Sequence, residues 1–125
     1  PLGATKALYG YASAGSQMAY HVLDVAGTVV TPSGIVNGEA GANGQQVSLG
    51  VLTSTRVLAA YSGGGAGPRA VIVTISGSVP APGVNLLPTT TGDTVSIVGL
   101  TTTKALIANS GTSGFMNARI IEKSE

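Results

Sequence analysis

The segments Arg56-Val-Leu-Ala-Ala-Tyr61 and Ala70-Val-Ile-Val-Thr-Ile75 are close to unbroken apolar runs, without alternation of apolar and polar positions. A strand covered on one face alternates; a strand covered on both faces does not. Similar short runs recur along the chain between clusters of Gly, Ser, Asn and Pro. In the first part of the chain they predict strands at about residues 6–12, 17–25, 28–36 and 45–51. Turns are expected at Ser13-Ala14-Gly15, Ala26-Gly27, Gly63-Gly64-Gly65 and Ser76-Gly77, with longer connections at 37–44 and 88–92. No segment joins a helix cap to a 3.6-residue period. The chain is therefore expected to be all-β, with roughly ten strands.

The pattern repeats. Leu2-Gly-Ala-Thr-Lys-Ala-Leu-Tyr-Gly-Tyr11, Leu52-Thr-Ser-Thr-Arg-Val-Leu-Ala-Ala-Tyr61 and Leu100-Thr-Thr-Thr-Lys-Ala-Leu-Ile-Ala-Asn109 align at spacings of 50 and then 48 residues. Val25-Ala26-Gly27-Thr28 matches Ile75-Ser76-Gly77-Ser78, and Val47-Ser48-Leu49 matches Val95-Ser96-Ile97. Several matches at one period read as a single repeat domain, 1–125, with units at about 2–51, 52–99 and a partial 100–125. Each complete unit is expected to be a four-stranded antiparallel sheet. A sheet of that size covered on both faces fits a β-propeller blade between neighbouring blades.

Composition sharpens this picture. Hydrophobic residues make up 43% of the chain, yet there is one Phe and no Trp, so Val, Ala, Leu and Ile must fill the core. Charged residues are 9%, against about 25% in ordinary soluble domains. Much of the surface is therefore expected to be uncharged or buried against other chains. The net charge is +1 and the six bases are scattered, without interleaved aromatics, so no nucleic acid is expected as a partner. The absence of Cys excludes disulfides and thiolate chemistry. No apolar run reaches the ~18 residues that cross a bilayer, so no membrane insertion is expected. Pro1-Leu2-Gly3 leads directly into the repeat, so no signal peptide is expected.

Candidate chemistry is sparse. His21 is the single histidine and lies mid-strand, so a hydrogen-bonded or solvent-facing role is expected rather than a zinc ligand. Asp24 and Asp93 end and begin strands, and no spacing brings them together as a glycosidase pair. Gly63-Gly-Gly-Ala-Gly67 lacks the Gly-Lys-[Ser/Thr] ending of a phosphate loop. Ser13, Ser16, Ser62 and Ser110 are read as turn residues, outside any nucleophile elbow. Lys6, Arg56 and Lys104 recur at one repeat position and read as structural. No catalytic residue, metal or cofactor is expected.

The phrase Leu-x-x-Thr-Lys-[Val/Ala]-Leu, three small residues and Tyr, then a Gly-rich turn, a Val-rich strand and Ile-Ser-Gly, resembles the propeller-like repeats of about fifty residues found in bacterial surface and phage virion proteins. The likeness covers nearly the whole chain, although Asn109 replaces the Tyr in the third unit. It implies a fold and a style of use, and no catalytic set. The expected function is structural or adhesive: a virion decoration (cement) protein, knob or fibre component, at a virion or extracellular surface. Its expected partners are itself and other virion or surface structural proteins. Two and a half units do not close a ring of 4–8 blades, so either the chain is a fragment or several copies complete one ring. The charged ending 119–125 reads as a real terminus, which favours the oligomer. Three copies of two blades are preferred over two copies sharing half-units, with Ala59 and Ile107 packing between subunits. The alternative is a propeller lectin with Tyr20 and Tyr61 touching glycan, against which the missing Trp counts.

Overall fold

The computed structural model describes residues 1–13, 17–40, 46–63, 67–87, 95–110 and 116–122, and among them finds eleven strands and no helix. The first sheet holds β1 (Lys6–Ala12), β2 (Gln17–Ala26), β3 (Val29–Pro32) and β4 (Val36–Ala40). The middle sheet runs in the order β5 (Val47–Thr53), β6 (Arg56–Gly63), β7 (Gly67–Ser76) and β8 (Val79–Asn85). The last sheet holds β9 (Val95–Gly99), β10 (Lys104–Ser110) and β11 (Met116–Glu122), with β10 central. Every ladder is antiparallel.

Local chemistry sets the hairpins. Gly27 and Gly77 each take φ 61° at the first position of a two-residue turn, where a Cβ would be strained. The expected turns at Ala26-Gly27 and Ser76-Gly77 thus form. Lys6 lies opposite Asp24 and Arg56 opposite Thr74, so the register of β1–β2 recurs in β6–β7. Thr5 and Thr55 accept equivalent bonds from the Val25 and Ile75 amides, both at 2.8 Å.

Three expectations need correction. Residues 45–51 were expected to close the first unit; instead the turn at Ser54-Thr55 folds β5 onto β6, making it the edge strand of the next sheet. Sheet boundaries therefore fall before β5, out of step with the 2–51 and 52–99 units. The strand expected at 28–36 is split into β3 and β4, because Pro32 has no N–H to continue a ladder. Ser33 spans the break: its amide donates to the Val22 carbonyl at 2.8 Å, and its Oγ accepts from the Val22 amide at 2.9 Å. Ser62 and Ser110 lie in β6 and β10 rather than in turns.

The sheets stack face to face. Odd-numbered residues of β6 and β7 (Val57, Ala59, Tyr61, Val71 and Val73) pack with Leu8, Met18, Tyr20 and Val22 of the first sheet. Even-numbered residues (Leu58, Ala60, Ala70 and Ile72) pack with Ala105 and Ile107 of the last. The two-sided burial expected of these runs is what the structure has. Among the described residues the sheets form no closed ring. Ala59 and Ile107, expected between subunits, are fully buried between sheets of the same chain.

Candidate functional site

The residues expected to meet a glycan do not reach solvent. Tyr20 and Tyr61 are both 0% exposed, side by side between the first and middle sheets. The parity of β2 and β6 points both rings inward, so neither can stack on a sugar. Tyr20 fits against two glycines; a Cβ on Gly38 would lie 3.0 Å from its ring and one on Gly10 3.4 Å away. Its hydroxyl has no hydrogen-bond partner among the described residues. Burial, and secondarily the neighbouring Tyr61, hold the Tyr20 phenol well above its ordinary pKa.

The aromatic groups that do face outward are on the other side of the first sheet. Tyr9, 52% exposed, stacks on Tyr11 with ring centroids 5.4 Å apart and planes 24° apart. Tyr11 stacks in turn on His21 at 5.7 Å and 8°. The His21 Nδ1–H donates to the Ser33 carbonyl at 2.8 Å. That fixes the tautomer of the neutral ring and leaves Nε2 to accept from the Tyr11 hydroxyl at 3.4 Å. Among the described residues, no three of His, Cys, Asp and Glu come together.

Asp24 has a structural assignment. Its Oδ1 accepts from the Lys6 ammonium and its Oδ2 from the Ser78 hydroxyl, while Lys6 also donates to Ser78 Oγ at 3.1 Å. This clasp ties one end of β1 and β2 to the turn between β7 and β8. The bond from Lys6 first, then that from Ser78, holds the Asp24 carboxyl below the usual carboxylate range. Lys104 makes the corresponding cross-strand pair with Glu122 at 3.2 Å. Lys6 and Lys104 are thus ion-paired residues of their hairpins. Asp93, Ser16, the connection at 88–92 and the centre of the 63–67 glycine run lie outside the described residues.

What remains is surface. An open cleft of about 420 Å³ between β4 and β8 is lined by Asn37, Gly38, Pro82, Gly83, Val84 and Asn85, none of which ionises. The outer face of the last sheet carries Val98, Leu106, Ala108 and Ile120, and beside it a depression of about 440 Å³ reaches Met116. The first sheet's outer face carries Tyr9, Tyr11, His21, Leu23 and Val25. These two apolar faces, at opposite ends of the stack, are the candidate site.

No known family matches the chain, and neither a curated protein nor a solved structure is similar to it. Sequence reasoning missed the clasp and the Tyr9–Tyr11–His21 ladder. Registering the first hairpin would have found the Lys6–Asp24 pair and the Tyr9–His21 pair, which it sets opposite each other, but not Ser78, which belongs to the middle sheet.

Proposed function

We propose that this protein is a non-enzymatic structural or adhesive module: a phage virion decoration (cement), knob or fibre component, working at a virion or extracellular surface as a propeller-like homo-oligomer. The observation that carries this is a stack of three sheets whose two end faces, among the described residues, leave apolar side chains exposed: Tyr9 on the first, Val98 and Ile120 on the last. Contiguous exposed apolar surface marks association with another protein. Among the described residues His21 is held by Ser33 and Tyr11, and Asp24 by Lys6 and Ser78.

Three sheets per chain change the expected copy number. Two copies give six sheets and three give nine, and closed propellers hold 4–8. A dimer, rather than the trimer expected from two blades per chain, therefore completes a ring. Sedimentation equilibrium at micromolar concentration tests the proposal. A stable, folded monomer would overturn it.

A second reading, carbohydrate binding, rests on the exposed Tyr9 stacked against Tyr11. It requires that face to stay open in the assembly. Binding on a glycan array that disappears with Tyr9→Ala would favour it.

A further inference from the structure

The face by which the middle sheet holds the last sheet includes Ser48, Gly50, Leu58, Ala60, Ala70 and Ile72, with Leu52, Leu86 and Leu87 at its margin. The ladder registers set Ser96, Val98, Leu106, Ala108, Ala118 and Ile120 at the same positions of the last sheet, forty-eight residues on. Five of the six residues are identical in type. Their surroundings are not. Ile72 is 5% exposed and Ile120 is 61% exposed. The last sheet thus displays, uncovered, nearly the same face that its neighbour uses to bind a sheet.

The first sheet displays the opposite member of that contact. Its outer Ala7, Tyr9, Tyr11, His21, Leu23 and Val25 hold the positions that Val57, Ala59, Tyr61, Val71, Val73 and Ile75 hold on the middle sheet. Those middle-sheet residues are the ones that receive a neighbour. The last described sheet therefore shows a donor face and the first an acceptor face of one contact, which the described sheets already make twice.

Two details fit a match between them. Gly50 is small because a Cβ there would lie 3.1 Å from Gly99, on the edge strand β9 of the facing sheet. The last sheet has Val98 at that position, and among the described residues the first sheet has no strand beyond β1 to crowd it. The Lys6–Asp24 pair, at the edge of the first sheet's inner face, grips the hydroxyl of Ser78 in the turn after β7. The Lys104–Glu122 pair sits at the same place on the last sheet's outer face, and the equivalent turn of the first sheet carries the exposed hydroxyl of Thr28.

We infer that the last sheet of one copy seats on the first sheet of a second copy, head to tail, with Leu106 and Ile120 against the Tyr9–His21 face and Lys104–Glu122 at the partner copy's Thr28 turn. This rests on the homo-oligomer proposed above and specifies its contact as head to tail, two such contacts closing a two-fold dimer.

Tyr9→Asp and Ile120→Asp separate the possibilities, because each spoils one face and both positions are exposed in the single chain. Each variant alone is expected to sediment as a monomer. An equimolar mixture is expected to form a one-to-one dimer through its two intact faces, and Thr28→Val in the wild-type background should weaken assembly without changing the circular dichroism spectrum. If either single variant still self-associates, or the mixture stays monomeric, the head-to-tail interface is wrong even though the protein oligomerises. A monomeric wild type removes the oligomer itself. Should Ile120→Asp lose its β spectrum, Val98→Asp, exposed on the same face, replaces it and is read the same way.

Discussion

Gly50 on β5 and Gly99 on β9 meet backbone to backbone, and neither leaves room for a side chain. A Cβ on Gly50 would lie 3.1 Å from the Gly99 nitrogen, and one on Gly99 would strike the Val51 carbonyl. The middle and last sheets draw this close only because both positions are bare. Gly99→Ala should therefore cost about 1–3 kcal/mol, the usual penalty of overpacking a site that cannot yield. Gly10→Ala is the control. Its Cβ would meet the Tyr20 ring at an ordinary 3.4 Å, and the strand would lose glycine's backbone freedom, so stability should hold or rise slightly. Urea midpoints of the two variants decide this.

Tyr20 combines a well-packed ring with a hydroxyl that has no partner among the described residues. An unsatisfied buried polar group is costly, so Tyr20→Phe should stabilise by on the order of 1 kcal/mol. Tyr20→Ala should cost about 3–5 kcal/mol, because it empties the slot between the sheets. Loss of stability in Tyr20→Phe would mean that the hydroxyl is satisfied after all. Denaturant unfolding of both variants is the measurement.

The Asp24 clasp has a pH signature. Its carboxyl is held below the ordinary range in the fold. The unfolded chain then binds that proton more readily, and the contribution is present above the unfolded value near 3.9 and is lost as pH falls through the folded value. Asp24→Asn should lower the thermal midpoint at pH 7. The gap from the wild type should close as the pH is taken below about 4. A gap that persists undiminished at low pH would show that the carboxylate charge is not what the clasp uses.

Ile107 and Ala59 test where the inter-sheet contacts lie. Both are buried within one chain. Ile107→Ala should cost about 2–5 kcal/mol, and Ala59→Asp, which buries an unpaired charge, should unfold the chain. The difference between Ile107→Ala and the wild type should not depend on protein concentration, since no second copy is needed for the contact. Melting curves recorded across a hundredfold dilution would reveal such a dependence.

The two-sided burial of β6 and β7 was legible because an unbroken apolar run has one reading at strand length. Gly27 and Gly77 announced their turns in the same way. The edge of the middle sheet was not legible, since the Ser54-Thr55 turn carries no glycine or Asn-Gly to mark a tight hairpin. Pro32 did mark the break between β3 and β4, but only to a reader who weighs a single missing N–H against a run of β-formers. The tyrosines failed for a geometric reason. Alternation sorts Tyr9 and Tyr11 from Tyr20 into opposite faces of one sheet, and it cannot say which face meets a neighbour.

Covering the middle sheet on both sides also orders the molecule in time. In stacked repeats each unit is held mainly by its neighbours, and opening spreads from the least supported end. Amide hydrogens should therefore exchange as a gradient. Those of β3, whose four residues are all exposed, and of the edge strand β11 should be lost first. Those of β6 and β7 should survive nearly to global unfolding. A lone chain would fray inward from both ends, as a short duplex does. A copy seated on either end would turn that fast-exchanging margin into protected interior.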